Sequence, residues 1–592
     1  MIPKDKFQEE VDYLGANLSF NAQGASANTL SKYFPRIFEL VAQGALDPNF
    51  TEEDFKNEKN RAIEGLKAAE KDVSSNASRI SRALAFGADH PYGEFTTVES
   101  LEALTLEDVK DFYQKYFTPQ NAYLVVVGDV KSKDVKKLAK KYFKKWEGES
   151  LPDYTFPMPE NVVQTQVNFV DFPNAVQSEV QLTNVIELQM GDQDYFPAII
   201  ANKILGGGGE ARLFLNLRED KGYTYGAYSS TGNDKYVARF VASASVRNEV
   251  TDSAVVAFLD ELHRIRNEKV SAEELENAKA KYTGSFVLAL EHPSTIAQYA
   301  LNIETNDLPE NFYETYLQKI NAVTAEDVQR VAKKYFLVDK ARIVVVGKGS
   351  EVVENLEKLT YDGEEIPVKY FDKNANEIEK PVFKKELDPS VTVDLVLDKY
   401  IGAIGGKEAV EAVKTVYTVA EADIQGQKLG LEMKTSSEGK LAQTISMGGM
   451  AVQKQVFNGE SGFTMAQGQK IPYTEEQVLT ARVEAYPFPE LHMENATLEG
   501  IESVNGEDAY VVAVGEDTKN YYSVDSGLKL QSVKTVTQGP QTMSIPTIFS
   551  DYKEVKGVLF PFSISQTVGP QSLVFVVSDI KVNEGVTDAD FE

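Results

Sequence analysis

A gapless internal repeat constrains this chain more than any other feature. Thr105-Leu-Glu-Asp108 and Thr324-Ala-Glu-Asp327 each predict a helix start with a capping box, in which residue and cap exchange hydrogen bonds. From there Glu107 matches Glu326, Val109 matches Val328, Tyr116 matches Tyr335, and Phe117 matches Phe336. Val125 matches Val344 and Gly128 matches Gly347, all at one offset of 219 residues (326 − 107). Each copy reads as a helix, an aromatic pair, then a triple-valine run that predicts a buried strand, Ala122–Gly128 and Ala341–Gly347. The chain therefore holds two copies of one α+β unit.

The second copy opens with a strand, Thr165 to Phe172. Carried back by the offset, its counterpart falls upstream of the first residue. The first copy is thus expected to lack about fifty residues on its N-terminal side. Either the chain begins inside a domain or the first repeat is naturally short. An exposed half-sheet edge is an aggregation liability, which favours the former. The expected layout is a first, incomplete unit over 1–151, a linker with prolines over 152–163, and a second unit over 164–360. A charged linker over 361–389 and a β-rich region over 390–592 follow. That last region carries one amphipathic helix, Asp394 to Val413. Many short alternating segments come after it, with turn signals at Asn458-Gly, Asn505-Gly, Asp525-Ser-Gly and Lys556-Gly. It predicts a large, curved antiparallel sheet.

Composition narrows the chemistry. With no cysteine among 592 residues, disulfides, cysteine-ligated zinc and cysteine nucleophiles are excluded. A net charge of −29 argues against nucleic acid and anionic membrane surfaces as partners, because both need basic patches. No apolar run is long enough to span a bilayer, and the first residues are not a signal peptide.

Only four histidines are present, His90, His263, His292 and His492, and no second histidine lies three or four residues from any of them. H-E-x-x-H and H-x-x-E-H are both absent, so no single helix of this chain offers a pair of zinc-binding histidines. His90 and His292 each precede a proline and read as helix-end residues. The stretch Leu205 to Tyr225 is the remaining candidate: L-G-G-G-G-E-A-R-L-F-L-N-L-R-E-D-K-G-Y-T-Y. Gly206, Gly207, Gly208 and Gly209 are not a phosphate loop, since Glu-Ala-Arg follows them rather than Lys-Ser/Thr. They read as a flexible, substrate-side loop. Arg218 and Tyr225 have two readings. The arginine can simply complement a helix dipole. Alternatively, a guanidinium and a phenol on a rigid element can donate hydrogen bonds to a carbonyl oxygen that becomes negative during peptide attack.

The duplicated unit, His90-Pro-Tyr-Gly93 after a long helix, and the Leu205–Tyr225 pattern together resemble the pitrilysin/insulinase family of zinc peptidases, over about residues 1–360. The resemblance implies two homologous α+β halves that close like a clamshell around a peptide. It implies that the first half carries H-x-x-E-H plus a later glutamate ligand. The second half would contribute an arginine and a tyrosine seven residues apart, which fall on Arg218 and Tyr225. The later helix survives as Phe55-Lys-Asn-Glu-Lys-Asn-Arg-Ala-Ile-Glu-Gly65. The family's first acid matches Glu58, but its metal-ligating glutamate falls on Gly65. The neighbouring Glu64 points about 100° away around the helix. No complete catalytic set and no metal ligand are therefore expected in this chain. It resembles the zinc-less subunit of a heterodimeric peptidase whose zinc sits on a paralogous partner.

In the C-terminal region, Y-I-G-A-I-G-G-K-E-A from Tyr400, F-N-G-E-S-G-F from Phe457, L-E-G-I-E-S-V-N-G-E-D-A-Y from Leu498, V-D-S-G-L from Val524 and D-Y-K-E-V-K-G-V-L-F-P from Asp551 resemble periplasmic lipoprotein carriers. That resemblance implies an unclosed β half-barrel over a helix, able to hold acyl chains, and a place in the bacterial periplasm or cell envelope. A domain that merely docks or tethers the peptidase part is the equal alternative. The expected fold class is thus α+β, two clamshell domains followed by a curved antiparallel half-barrel. The expected partners are a zinc-bearing paralogue, peptides and lipid or lipoprotein. The alternatives are a catalytic zinc peptidase whose H-x-x-E-H segment is missing, and a non-enzymatic envelope lipid- or peptide-binding protein.

Overall fold

The computed structural model describes residues 4–592 apart from 153, 384–386, 425–426, 467–468, 494, 505–506, 516, 539–540 and 569–570. The chain divides into two units. One comprises Met1–Val170, Gln177–Val346 and Glu354–Glu379, the other Asp171–Val176, Gly347–Val353 and Lys380–Glu592.

The first half of the first unit is mostly helical: α1 (Lys4–Tyr13), a hairpin of β1 (Asn17–Asn21) and β2 (Gly24–Asn28), then α2 (Phe34–Leu46), α3 (Glu52–Ala69), α4 (Val73–Phe86), α5 (Val98–Ala103), α6 (Leu106–Tyr116) and α7 (Ser132–Phe143). Its own core is small, with Val11, Ile37 and Leu40 buried among Phe7, Leu14 and Tyr33. Thr51 caps α3 by accepting from the Asp54 amide at 3.1 Å, and three acids occupy the first turn, where the helix dipole favours them.

The triple-valine run of this half is not a strand. Residues 122–127 are extended without ladder partners, and Tyr123, Leu124 and Val127 are 56%, 52% and 39% exposed. The sequence pattern for a buried strand is intact. What is missing, among the described residues, is any neighbouring strand to satisfy its backbone and cover its side chains.

The second half supplies such neighbours. Its sheet comprises β3 (Gln166–Asp171), β4 (Gln177–Ile186), β5 (Thr224–Thr231), β6 (Ala238–Arg247) and β7 (Arg342–Gly347). After a short hairpin of β8 (Thr360–Tyr361) and β9 (Glu364–Glu365) come β10 (Val368–Phe371) and β11 (Glu377–Ile378). The strand order is β11-β10-β3-β7-β4-β6-β5. β7 therefore lies between β3 and β4, and Ile343 to Val346 are buried to 1% or less. The charged stretch 361–389, expected as linker, is corrected here: β10 pairs in parallel with β3, and Tyr370 and Phe371 are buried.

Helices α8 (Tyr195–Leu205), α9 (Arg212–Phe214), α10 (Thr251–Asn267), α11 (Ala272–Ala289), α12 (Pro293–Thr305), α13 (Tyr316–Ala322) and α14 (Ala325–Tyr335) complete this half. α6 and α14 carry matching capping boxes, Thr105 with Asp108 and Thr324 with Asp327, at the repeat offset. α4 of the first half packs on β4 of the second. Ser78 accepts from the Gln181 amide at 3.1 Å and Ser81 accepts from Arg239 at 3.1 Å. His90-Pro-Tyr-Gly93 makes a second tie. His90 caps a short 3₁₀ turn by accepting from the Tyr92 amide, and the Tyr92 hydroxyl donates to Asp234 at 3.0 Å.

The other unit is built on a thirteen-stranded antiparallel sheet. Its first strand, Thr415–Ile424, pairs on one side with Gln427–Ser436 and on the other with the last strand, Gln571–Val582. The sheet does not close: Gln469–Pro472 and Thr497–Val504 are its two free edges. The expected single helix from Asp394 to Val413 is two, Val393–Ala403 and Lys407–Glu411. Gly405 and Gly406, at φ +141° and +86°, break it, and a side chain at Gly405 would lie 2.4 Å from the Gly557 carbonyl oxygen. The Leu559 amide donates to the Ile404 carbonyl there at 2.7 Å. Val396, Tyr400, Ile401 and Ile404 pack on the sheet against residues such as Val416, Phe560 and Val577. Of the turn signals, Lys556-Gly557 joins two strands with both residues at positive φ, and Asn505-Gly506 lies outside the described residues.

Candidate functional site

The Leu205–Tyr225 stretch departs from simple helix geometry where the candidate residues sit. α8 ends at Leu205, and the chain turns through four glycines. They are not uniformly free. A side chain at Gly206 would lie 2.3 Å from the Ser229 amide nitrogen, and one at Gly207 would lie 2.7 Å from Lys203 Cα. The Ser229 amide donates to the Gly206 carbonyl at 2.9 Å. Gly206 packs the end of α8 closely against β5, and Gly207 folds back on the last turn of α8 itself, so these two glycines are held in close contacts rather than free. Gly209 is exposed, and Gly208 holds φ +155°.

After α9 the helix widens. Leu215–Asp220 is a π-helical turn, with the Lys221 amide reaching back five residues to the Asn216 carbonyl at 3.0 Å. Such turns are rare and concentrate at functional sites. Gly222, at φ +62°, ends it, and the Tyr223 amide caps the Leu217 carbonyl at 2.8 Å. Arg218 projects from the wide turn. Its guanidinium lies 4.8 Å from the centre of the Phe214 ring and 3.4 Å from Glu219, and its side chain is 46% exposed. Phe214 is itself buried, 7% exposed, with its ring 5.8 Å from that of Tyr228 on β5.

Tyr225 lies not at a helix end but in β5. The β5–β6 ladder shifts register between Thr224 and Ala227, a β-bulge that holds Tyr225 and Gly226. The Thr224 hydroxyl pins it by donating to the Gly226 carbonyl at 3.0 Å and accepting from the Gly226 amide at 3.1 Å. Bulges re-aim side chains next to functional sites, and Tyr225 is 65% exposed. Both candidates are thus exposed on two irregular elements joined by one glycine turn.

The scaffold beneath is fixed by charge. Arg212, 7% exposed, donates to Glu274 through Nε at 2.8 Å and through a terminal nitrogen at 3.1 Å. Burial alone would raise the Glu274 carboxyl, but the Arg212 and Ser271 hydrogen bonds outweigh it and hold it at about 2. Asn216, within the π turn, donates to Glu261 at 2.6 Å. At the other end of α8, Asp194 accepts from Arg330, from Lys334 at 2.8 Å and from Tyr335 at 2.9 Å. Sequence reading missed these ties. Their partners lie tens to well over a hundred residues away, and no local pattern links them.

The described residues do not fit a zinc ion. Among the described residues no group of three His, Asp or Glu could hold a metal. Gly65 and Glu64 are exposed on α3, a helix without a buried residue, and Glu58 pairs with Arg61 at 3.0 Å. A side chain at Gly65 would meet nothing within 4 Å. Sterics do not require glycine there; the position simply lacks a ligand atom. His90 and His292 stand at the N-cap positions of a 3₁₀ turn and of α12, and only His90 accepts a capping hydrogen bond through its side chain.

Residues 103–282 match the domain described as the peptidase M16 inactive domain, a span from just before α6 into α11 that includes Arg218 and Tyr225. The chain is 24% identical over 355 residues to the uncharacterized zinc protease YmxG of Bacillus subtilis, covering 56% of this chain and 83% of that protein. It is 22% identical over 307 residues to the probable inactive metalloprotease YmfF of the same organism, covering 52% and 71%. A peptidase M16 inactive domain from Pseudomonas fluorescens has the same fold over 58% of this chain and 84% of its own, at a TM-score of 0.54 and 23% identity. A protease from Helicobacter pylori does so over 58% and 84%, at 0.52 and 20%. The part of the chain that bears the repeat is therefore similar in sequence to M16 zinc proteases, one of them described as inactive, and residues 103–282 match the inactive-domain model of that family.

Proposed function

We propose that this chain is the zinc-less subunit of a two-chain peptidase, supplying Arg218 and Tyr225 to an active site whose zinc is held by a paralogous partner. One observation carries the reading: two exposed hydrogen-bond donors stand on a π turn and a β-bulge, next to the half-buried Arg212–Glu274 ion pair, while the position that matches the family's glutamate ligand is Gly65. Rigid donors aimed at a developing oxyanion need no reorganisation during reaction, which is where such catalysis gains most. Arg218, stacked on Phe214, keeps one face and its terminal nitrogens for a substrate carbonyl. Tyr225 adds a neutral donor. The two homologous halves would close as a clamshell around an extended peptide. An upstream H-x-x-E-H segment would not by itself make the chain a zinc peptidase, because Gly65 still offers no ligand.

The test is reconstitution with a zinc-bearing paralogue from the same genome. Each of Arg218→Ala and Tyr225→Phe is expected to lower kcat of the reconstituted pair about a hundredfold. Melting temperature should stay put, since both side chains are exposed. Full activity in the Arg218→Ala pair would rule the role out.

A second reading rests on the open thirteen-stranded sheet. Met447, Met450 and Ile471 are exposed, by 40% to 75%, on neighbouring strands whose registers turn them to one face of the sheet. Contiguous exposed apolar surface marks a binding or membrane-facing site. On this reading the C-terminal unit holds lipid or lipoprotein in the bacterial envelope. Lipid extracted from the purified protein and identified by mass spectrometry supports it. Protein that stays lipid-free after incubation with envelope vesicles counts against it.

A further inference from the structure

A small cavity of about 240 Å³ opens beside the glycine loop, lined by Ile199, Asn202, Lys203, Gly207, Thr231, Tyr282 and Ser285. It is below the roughly 300 Å³ at which sites for whole small molecules begin, so it suits one side chain. Its lining is polar and carries one cation. Lys203 Nζ donates to the Gly207 carbonyl at 2.7 Å, and no carboxylate lies within 4 Å of it among the described residues. The nearest acid along the chain, Glu210, is already paired with Lys281. Thr231 Oγ1 is buried and has no hydrogen-bond partner among the described residues. An ammonium with spare donors and an unpartnered hydroxyl in one pocket call for an anionic ligand. The pocket borders β5, the free edge strand of its sheet. A peptide adding to that edge would turn alternate side chains toward α8 and α11.

We infer that this pocket is an acid-selective subsite: Lys203 and Thr231 bind a carboxylate of an extended peptide, an Asp or Glu side chain or the C-terminal carboxylate. The inference rests on the peptide-handling reading above and names the preference of that site. The ammonium contributes a charge-assisted hydrogen bond to the carboxylate. The Thr231 hydroxyl gains the partner it lacks.

The experiment is fluorescence anisotropy of the full chain with labelled random peptides that share one fixed central residue. The Glu set, amidated at its C-terminus, should bind about tenfold tighter than the amidated Gln set. The Gln set with a free C-terminal carboxylate distinguishes the two carboxylate sources. Lys203→Met, which keeps the aliphatic stem, should erase the preference, and Lys203→Arg should keep it. Equal affinity for all sets, or a preference that survives in a folded Lys203→Met protein, overturns the subsite while peptide binding stands. Absence of binding by every set overturns both the subsite and the peptide-handling reading.

Discussion

Glu274 sits one turn into α11 and takes both hydrogen bonds of a nearly buried guanidinium. Removing one partner leaves the other with its desolvation cost uncompensated, so Arg212→Ala is expected to cost about 2 kcal/mol. Glu274 and Asp194 are each held at about 2, below the usual carboxylate range. For Asp194, too, burial pushes up and the Lys334, Arg330 and Tyr335 hydrogen bonds push down harder. A depressed folded-state pKa means that the unfolded chain takes up protons first. The stability from these carboxylates is then full above the ordinary range and is lost as pH falls toward about 2. Urea unfolding followed between neutral pH and pH about 3 should show that loss, and Glu274→Gln should flatten part of the slope. An unchanged slope in Glu274→Gln would mean that the acid limb has another origin. The first-turn place of Glu274 was legible in the sequence, but its pairing with Arg212, 62 residues away, was not.

The two triple-valine runs show what an element owes to its neighbours. Ala-Tyr-Leu-Val-Val-Val-Gly128 and Ala-Arg-Ile-Val-Val-Val-Gly347 have nearly the same strand propensity, yet only the second is a strand. Local pattern selects the conformation, extended in both cases, but a strand exists only where other strands accept its hydrogen bonds. Val344→Asp would bury a charge in the centre of the seven-stranded sheet and is expected to unfold that half, a loss above about 4 kcal/mol. Val125→Asp, at the matching position, should change stability by no more than about 0.5 kcal/mol. It should also reduce aggregation by placing a charge on an open apolar edge. Circular dichroism melts and light scattering of the two variants check this. Comparable destabilisation would show that residues 122–127 are covered in solution. The π turn and the bulge around Arg218 and Tyr225 belong to this scale too. Neither the widened helix nor the register shift is written in a periodicity of 3.6 or 2.

For the whole chain, two units with separate cores predict separable unfolding. Scanning calorimetry should resolve two transitions, and Val344→Asp should remove one while sparing the other. A single transition abolished by that substitution would mean that the units melt as one. The capping boxes, the helices that follow them, the duplication and the turn at Lys556-Gly557 are properties of short segments, and the sequence alone determined them. The absence of a second metal-binding histidine on any helix, and of an acid at residue 65, was equally a matter of residue identity. Tertiary structure decided everything that depends on residues distant in the chain. It recruited the charged stretch after residue 361 into the sheet and withheld strand status from residues 122–127. It also set Arg218 and Tyr225 on irregular backbone and joined Lys203 to Thr231 across a pocket. The physical reason is common to all four: backbone pairing, burial and charge complementarity are completed by partners that adjacency in sequence does not name.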